Sequence, residues 1–386
     1  MFAFQFPLFF KLLWLALFEA KDTDGRLTPR RILVLLLFLI IYPLVELLNH
    51  LCFLLDNILY PDFKEIEPKN PVFLIGVPRS GTTFLHRLLA KDSEKFTSFR
   101  TWEIFLAPSI VQKKFYGWIG AIDNYFGGRL RTFILAQEDK QLAEMRKFHE
   151  TGLFETEEDE LLLLHIFASP FLAVIFPFPE QIEFLSRFDE NLSEADKKHI
   201  MGFYKICVQK HLFVYGAHKQ FLSKNPAFSG KVRSLAETFA NPLVIYCLRS
   251  PLETLPSFAS WFAWQCDRFF DPLNAYPMVD TLTQVVGYWY RYPLQELESW
   301  PEEQKMVVRF REMVKNPQTT VQGIYEHFGL PLSEQYQNVL AESQQQNSSY
   351  KSKHKYSLPE IGLDPEKVFK EYEDILLQHG FTSPTP

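Results

Sequence analysis

A short apolar run that leads into a glycine-bounded turn carries the clearest chemical signal in this sequence. Residues 72–83 read VFLIGVPRSGTT, and the apolar spacing that follows predicts a helix from about 81 to 90. Gly76 and Gly81 would let the backbone approach an anion closely, and the N–H groups at the start of the helix would bind that anion. Four side chains in or beside the turn add further donors: Arg79, Ser80, Thr82 and Thr83. The turn predicts a phosphate or sulfate site, with an ordinary strand-to-helix turn as the alternative.

The turn differs from the P-loop of ATP-binding proteins at one decisive position. The two glycines match that loop, but Thr82-Thr83 stand where it has Lys followed by Ser or Thr. Without that lysine, the γ-phosphate of a nucleoside triphosphate loses its main counter-charge. Arg79 lies inside the loop instead, where its planar guanidinium can bind oxygens of a sulfuryl or phosphate group. A nucleotide kinase or NTPase is therefore the less favoured alternative.

A second strand-to-helix unit adds another pair of anion-binding side chains. Residues 243–257 read LVIYCLRSPLETLPS, which predicts a strand that ends at Arg249 and a helix that carries Ser257. The end of a strand and the second turn of the following helix converge on one face. A guanidinium and a hydroxyl placed there can share one phosphate group.

The two units, in this order, resemble the sulfotransferases that use 3′-phosphoadenosine-5′-phosphosulfate. The resemblance implies that the 78–83 loop binds the 5′-phosphosulfate, that Arg249 and Ser257 bind the 3′-phosphate, and that no metal takes part. Further similarity brings the covered range to roughly 71–375, and it is carried by these segments: 224–226, 309–317, 324–331 and 354–363. With Arg79 inside it, the loop resembles that of the bacterial-type and tyrosylprotein branch of these sulfotransferases. The Arg-Lys-Gly triplet of the cytosolic aryl branch is absent, and Lys353 or Lys355 is expected to replace it.

The resemblance also implies catalytic roles. Arg79 is expected to stabilise the leaving group. Glu103, about two dozen residues after the loop, is expected to be the general base, and a carboxylate at a helix start is the alternative. Rival bases are His149, His165 and the acidic run 155–160. Lys224 is expected to contact the nucleotide or the sulfuryl group, with a surface lysine as the alternative. For His86 we expect a structural role or a place in the substrate wall.

These segments require a fold that brings strand ends together. Apolar runs at 72–76, 243–248 and 306–310 alternate with predicted helices, which indicates an α/β protein with a P-loop-like parallel sheet flanked by helices. The residues between the first two runs are mostly helical in pattern.

Two strongly apolar stretches, 1–18 and 32–48, precede a Pro-rich charged linker. Lys11 interrupts the first, and Pro43 and Glu46 interrupt the second, so both lie near the threshold for a membrane span. We therefore predict a membrane-associated helical segment over 1–70, inserted shallowly, and a catalytic domain over 71–386. A pair of apolar helices that covers the domain is the alternative. A donor made in the cytosol and four cysteines without metal-ligand spacing place the catalytic domain in the cytoplasm.

Composition narrows the class of acceptor and partner. The chain has 40 Lys and Arg against 46 Asp and Glu, a net charge of −6, which argues against nucleic acid as a partner. The 38 phenylalanines carry no polar group and favour an apolar substrate cleft or membrane contact. The predicted acceptor is a hydroxyl or amine, on a lipid or other amphiphile. A non-catalytic, membrane-associated nucleotide-binding protein is a further alternative.

Overall fold

The computed structural model describes residues 4–141, 152–347 and 357–381. Its strands are β1 (Val72–Gly76), β2 (Phe96–Thr97), β3 (Gln220–Lys224), β4 (Leu243–Leu248) and β5 (Lys305–Arg309). The first α-helices are α1 (Phe6–Trp14), α2 (Pro29–Leu59), α3 (Thr82–Ala90), α4 (Thr101–Phe105), α5 (Ile110–Tyr125) and α6 (Arg129–Gln141). The middle helices are α7 (Pro179–Ser186), α8 (Phe188–Asn191), α9 (Glu194–Tyr215), α10 (Val232–Thr238), α11 (Pro251–Phe269) and α12 (Val279–Glu298). The last are α13 (Phe310–Lys315), α14 (Pro317–His327), α15 (Glu334–Asn347), α16 (Pro365–Glu371) and α17 (Glu373–Gln378).

Five parallel strands form one sheet in the order β2-β3-β1-β4-β5. The α/β class and the parallel sheet flanked by helices are confirmed. The expectation of mostly helical structure between the first two apolar runs was incomplete, because β2 and β3 both lie there. β2 has only two residues, and β3 mixes Gln220, Ser223 and Lys224 with two apolar residues, so neither strand has an apolar run that marks it.

Each face of the sheet packs on its own layer of helices. Because side chains alternate along a strand, Phe73 and Ile75 contact the larger core, which contains residues of α9, α11 and α12. Val72 and Leu74 contact the smaller core, which contains residues of α3 and α14. All residues of β1 are buried, as expected for a central parallel strand covered on both sides.

The N-terminal helices pack against the rest of the chain. Gln5 N donates to Ile166 O at 2.9 Å, and the Tyr42 hydroxyl donates to Leu164 O at 2.7 Å. The Asp56 carboxylate accepts hydrogen bonds from the first two N–H groups of α5, at 3.0 and 2.9 Å, and pairs with Lys210 of α9 at 2.9 Å. These contacts hold α2 on α5 and α9. The division of the chain at residue 70 stays a prediction.

Helix α2 has its polar and apolar sides reversed relative to a helix of a soluble core. Its buried residues are mostly polar: Arg31, Leu35, Glu46, Asn49, Cys52 and Asp56. Most of its leucines and isoleucines point outward, for example Leu44, which is 62% exposed. Within the described ranges, α2 alone has the length and hydropathy of a membrane span, with a mean hydropathy of 2.5 and 17% of that stretch buried.

Candidate active site

The glycine-bounded loop between β1 and α3 needs both of its glycines. Gly76 has a φ of +140°, and a Cβ there would lie 2.5 Å from the carbonyl oxygen of Cys247. Ser229 fixes the same residue, since its hydroxyl donates to Gly76 O at 2.8 Å and accepts from Gly76 N at 3.0 Å. Gly81 has a φ of +94°, and a Cβ there would lie 2.6 Å from atoms of Met313 and Phe310. The loop is therefore held between β4 and α13 without room for side chains at these positions.

Several groups in the loop are arranged as an anion would require. The Ser80 side chain is fully buried, and its hydroxyl has no hydrogen-bond partner among the described residues. Gly81 is the N-cap of α3 and has no side chain to accept from the first N–H groups of that helix. Arg79 has a φ of +71°, a left-handed conformation that is strained for arginine. The uncapped N–H groups at the start of α3 fit a sulfate or phosphate ester at this position.

The structure brings Arg79, Arg249 and Ser257 together. Arg79 Nε donates to Ser257 Oγ at 3.1 Å, and Arg249 Nη1 donates to the backbone oxygen of Arg79 at 2.9 Å. The pairing of β1 with β4 produces this arrangement, because Gly76 lies opposite Cys247 and both strands end at the same edge. The two motifs recognised in the sequence thus form one site.

Arg249 is held in place by neighbours that sequence reasoning did not identify. Its Nε donates to Glu253 Oε2 at 2.8 Å, and its guanidinium lies 4.2 Å from the centre of the Phe310 ring. Arg311 donates to the other oxygen of Glu253 at 2.7 Å. Partial burial acts to raise the pKa of Glu253, but hydrogen bonds from the two arginines hold it below its usual value. Glu253 is therefore a charged anchor that orients Arg249.

Lys224 is not a surface lysine, because its side chain is fully buried at the end of β3 beside β1. Its ammonium group lies 3.2 Å from Glu157 Oε1 and 3.1 Å from Glu158 Oε1. Burial acts to lower the pKa of Lys224, but the adjacent carboxylates of Glu158 and Glu157 raise it overall. We call Lys224, Glu157 and Glu158 the acidic cluster. The Glu158 side chain is 18% exposed, so part of the cluster is in contact with solvent.

The acidic cluster lies on the same side of the sheet as α3. The α3 residue His86 contacts Thr156 Oγ1 through Nδ1 at 3.2 Å and Ser98 Oγ through Nε2 at 3.1 Å. Burial first, and the nearby Lys224 charge second, lower the pKa of His86 to about 3. A neutral His86 thus joins the helix after the loop to the segment that carries the acidic cluster, in agreement with a structural role.

Glu103 lies in α4, the helix that follows the edge strand β2. It is 1% exposed, and its Oε1 pairs with Lys113 of α5 at 3.0 Å and lies 3.4 Å from His211 Nδ1. Its Oε2 accepts from Arg100 N at 2.9 Å, which closes a capping box at the start of α4. His211 belongs to α9, on the face of the sheet opposite α3. Burial would raise the pKa of Glu103, but Lys113 and His211 hold it well below its usual range.

The remaining predicted site residues are His165, Asp159 of the acidic run, His149, Lys353 and Lys355. His165 is buried under α2, where its Nδ1 contacts Glu46 Oε1 at 2.7 Å. Asp159 is not solvated: the hydroxyls of Tyr204 and Ser223 donate to it at 2.6 and 2.9 Å, and burial raises its pKa to about 7. His149, Lys353 and Lys355 lie outside the described residues.

Fold and site together define a class of protein. A parallel sheet with a P-loop-like turn, an arginine in place of the loop lysine and a second arginine from the neighbouring strand are features of a nucleotide-dependent group transferase. A family model described as "Sulfotransferase family" matches residues 71–334, which is more than half of the chain. The chain therefore belongs to the sulfotransferase family and is a sulfotransferase.

Named relatives and solved structures agree with this assignment. The omega-hydroxy-beta-dihydromenaquinone-9 sulfotransferases Stf3 of Mycobacterium bovis and Mycobacterium tuberculosis are 23% identical over 328 residues, which cover 82% of this chain and 76% of each relative. The crystal structure of sulfotransferase STF1 from M. tuberculosis has a TM-score of 0.70 at 20% identity and covers 95% of this chain and 92% of its own. Sulfotransferase STF9 from Mycobacterium avium has a TM-score of 0.68 at 17% identity, with 86% and 83% covered. The structural likeness establishes the sulfotransferase fold.

Proposed function

We propose that this chain transfers the sulfuryl group of 3′-phosphoadenosine-5′-phosphosulfate to a hydroxyl or amine on an amphiphilic acceptor. The observation that carries the proposal is the contact of Arg79 with Ser257 and Arg249, which joins the 5′-phosphosulfate loop to the proposed 3′-phosphate site. Ser80, Gly81, Thr82 and Thr83 would bind the 5′ side. Lys355, outside the described residues, is proposed for the nucleotide as well.

The reaction assigns a task to each side of the loop. The acceptor oxygen forms a bond to sulfur while the bond from sulfur to the bridging phosphate oxygen breaks, and adenosine 3′,5′-bisphosphate leaves. Charge develops on that bridging oxygen, where the Arg79 guanidinium stabilises it. Lys224, fully buried beside β1, would hold the carboxylates of Glu157 and Glu158 in place, and a contact with the nucleotide or the sulfuryl group would require it to leave one of them. The acceptor proton passes to a carboxylate base.

Two carboxylate positions are candidates for the base. Glu103 is the position expected from family resemblance, but its contacts are with Arg100, Lys113, His211 and Tyr215. The acidic cluster provides Glu157 and Glu158 on the side of the sheet that carries the loop helix, and Glu158 is partly open to solvent. We therefore favour Glu157 or Glu158 of the acidic cluster as the base. We assign Glu103 mainly to the packing of α4 against α5, through its ion pair with Lys113.

The nucleotide proposal predicts that Arg249 distinguishes adenosine 3′,5′-bisphosphate from adenosine 5′-monophosphate. Arg249→Ala should weaken binding of adenosine 3′,5′-bisphosphate about tenfold or more, because one charge-assisted phosphate contact contributes about 1.5–3 kcal/mol. Binding of adenosine 5′-monophosphate should hardly change. Calorimetry with both ligands, in buffer without magnesium, measures the difference.

The matched control is Arg291→Ala. Arg291 lies in α12, is partly exposed and pairs with Asp374 of α17. It should bind both nucleotides like the wild type. Equal weakening of the bisphosphate and the monophosphate by Arg249→Ala would refute the 3′-phosphate assignment.

An exposed apolar surface supports an acceptor in a membrane. We call it the apolar face, and it is formed by outward side chains of α1, α2, α5 and α6, among them Phe10, Trp14, Ile40, Leu44, Trp118 and Phe133. Many exposed large apolar side chains on neighbouring helices are typical of partner or membrane contact. Exposed charged side chains of both signs flank it: Lys21 and Asp22 before α2, and Asp62, Lys64 and Glu65 after it. Such charged flanks can lie in the polar headgroup region while the apolar side chains enter the leaflet.

The buried polar side of α2 favours insertion in the plane of the membrane. A helix that crossed the bilayer would have to leave α5 and α9 and carry Glu46, Asn49 and Asp56 into hydrocarbon, which is costly. If α2 lies flat, these residues keep their protein contacts while the leucines enter one leaflet. We place the catalytic domain on the cytoplasmic side, where the donor is made. The named relatives Stf3 act on a menaquinone derivative, and an apolar acceptor here would be reached from the same leaflet.

The membrane proposal predicts the effect of charges on α2. Leu44 and Leu48 are 62% and 56% exposed, and burial of one leucine contributes about 1.5–3 kcal/mol. The double variant Leu44→Glu, Leu48→Glu should therefore lower the partition into vesicles of phosphatidylcholine and phosphatidylglycerol by about tenfold or more. Flotation of the full chain measures this partition.

The control places the same change on a different surface. Leu377 of α17 and Val307 of β5 are 71% and 46% exposed and lie outside the apolar face. The double variant Leu377→Glu, Val307→Glu should float like the wild type. If both double variants behave alike, or if the wild-type chain stays with the aqueous fraction, the membrane proposal fails.

A further inference from the structure

Arg249 is one of two arginines that share a single carboxylate. Glu253 accepts a hydrogen bond from Arg249 Nε at 2.8 Å through Oε2, and it accepts one from Arg311 Nη2 at 2.7 Å through Oε1. The two guanidinium groups therefore lie on either side of one carboxylate. Only Arg249 of this pair belongs to the proposed nucleotide site.

The sheet places Arg311 at the edge where the nucleotide loop lies. β5 pairs with β4, and β4 pairs with β1, all in parallel, so the chain leaves the three strands at one edge. Phe310, the first residue of α13, packs on the Arg249 guanidinium and lies against Gly81 of the loop. Arg311 is the next residue, and its contact with Glu253 keeps its guanidinium beside the proposed 3′-phosphate site.

The charges of this group require a second cation if a phosphate is to bind. Arg249 and Glu253 form an ion pair without net charge. A phosphate monoester carries nearly two negative charges at neutral pH. It would be repelled by the Glu253 carboxylate while Arg249 attracts it, so the pair alone offers little net attraction. With Arg311 included, the three side chains have one net positive charge.

Arg311 has donors available for such a phosphate. Its side chain is 79% exposed, whereas that of Arg249 is 25% exposed. Among the residues that the structure describes, Glu253 is the hydrogen-bond partner of the Arg311 side chain, through Nη2 alone. A guanidinium carries several N–H donors, so most of those on Arg311 remain for a ligand. Exposed ion pairs are weak, and the long side chain can turn from Glu253 to a phosphate without a change in the backbone.

We propose that Arg311 is a second arginine for the 3′-phosphate of the nucleotide. In the free protein, Glu253 holds both arginines at the edge of the sheet. When the nucleotide binds, Arg249 keeps its contact with Glu253, and the Arg311 guanidinium turns to the phosphate oxygens. This inference rests on the proposed function, and it identifies the residue that gives the 3′-phosphate site its net positive charge.

Calorimetry of the full chain in maltoside micelles and magnesium-free buffer tests the contact. Arg311→Ala should weaken binding of adenosine 3′,5′-bisphosphate about tenfold, because a charge-assisted contact with the phosphate is lost. Binding of adenosine 5′-monophosphate should be unchanged, since that ligand has no 3′-phosphate. The matched control is Arg233→Ala. Arg233 is 48% exposed and pairs with Glu296, and its helix α10 contributes no residue to the proposed nucleotide site, so both nucleotides should bind as to the wild type.

A second pair of variants separates direct contact from neutralisation of Glu253. Glu253→Gln removes the charge but keeps an oxygen that can accept from Arg249. If Arg311 binds the phosphate directly, adding Arg311→Ala to Glu253→Gln should again weaken bisphosphate binding about tenfold. If Arg311→Ala has no effect once Glu253 is replaced, Arg311 only neutralises that carboxylate, and the proposed contact is overturned.

Comparison with Arg249→Ala shows which proposal fails. If Arg249→Ala weakens the bisphosphate selectively but Arg311→Ala does not, the role of Arg311 is overturned and the 3′-phosphate assignment stands. If Arg249→Ala weakens the bisphosphate and the monophosphate equally, both proposals are overturned.

Discussion

The double variant Glu157→Gln, Glu158→Gln is expected to lower the turnover of sulfuryl transfer by about 10²–10⁴-fold, the usual contribution of a general base. Both carboxylates contact Lys224 beside the strand that leads into the loop, and Gln cannot accept the proton of the acceptor. The double variant also leaves the buried Lys224 without its two carboxylate partners, which costs about 3–5 kcal/mol of unfolding free energy, so turnover is compared at equal amounts of folded protein. Affinity of the folded protein for adenosine 3′,5′-bisphosphate should stay close to that of the wild type. The single variants identify which carboxylate takes the proton, and we expect the larger loss from Glu158→Gln because Glu158 is more exposed.

Two variants serve as controls for this result. Glu155→Gln removes an exposed carboxylate from the same acidic run and should keep near-normal turnover. Glu103→Gln removes a carboxylate that pairs with the buried Lys113, and breaking a buried ion pair costs about 3–5 kcal/mol. Its main effect should therefore be a lower free energy of unfolding in denaturant titrations. If Glu103→Gln instead abolishes turnover while the unfolding free energy is preserved, the base is Glu103.

Arg79→Ala is expected to lower turnover by about 10²–10³-fold, the loss typical when one group that stabilises developing charge is removed. The reason is that the guanidinium sits in the loop, in contact with Ser257, where the bridging oxygen of the donor would gain charge. Arg79→Lys keeps the charge but not the planar group with several donors. Its turnover should therefore lie between that of the wild type and that of Arg79→Ala. Single-turnover measurements with radiolabelled donor separate this loss from weaker donor binding.

An exposed arginine supplies the comparison. Arg291→Ala should leave turnover unchanged, since Arg291 pairs with Asp374 away from the loop. If Arg79→Ala changes only the affinity for the donor and leaves the single-turnover rate intact, Arg79 binds the ground state and does not stabilise the leaving group.

Features that depend on neighbours in sequence could be predicted from the residues alone. The Gly76 to Gly81 turn is one continuous segment, and Arg249 and Ser257 are eight positions apart on one strand-to-helix unit. The contact between these two units follows from the parallel pairing of β1 with β4, which the apolar runs indicated. The glycine-bounded loop, the pair formed by Arg249 and Ser257, and the class of the sheet could therefore be predicted from the sequence.

Features that depend on distant contacts could not be predicted in this way. Lys224 meets Glu157 and Glu158 across 67 and 66 positions, and nothing in the acidic run marks those two residues as partners of a buried lysine. β3 was missed because only two of its five residues, Phe221 and Leu222, are apolar and because its lysine is neutralised only by that pairing. The hydropathy of α2 was evident, but which of its sides faces the protein depends on its contacts with α5 and α9.

The most direct test of the account is sulfuryl transfer by the full chain itself. The chain, bound to phosphatidylcholine vesicles in magnesium-free buffer, is incubated with radiolabelled 3′-phosphoadenosine-5′-phosphosulfate and a panel of acceptors: a long-chain alcohol, a prenylated quinol, a sugar, a phenol and a peptide. We expect the label to move to an apolar acceptor and adenosine 3′,5′-bisphosphate to appear in equal amount, with far less label on the sugar or the peptide. Label that moves mainly to the sugar or the peptide, or to no acceptor although the donor binds, would contradict the proposed function.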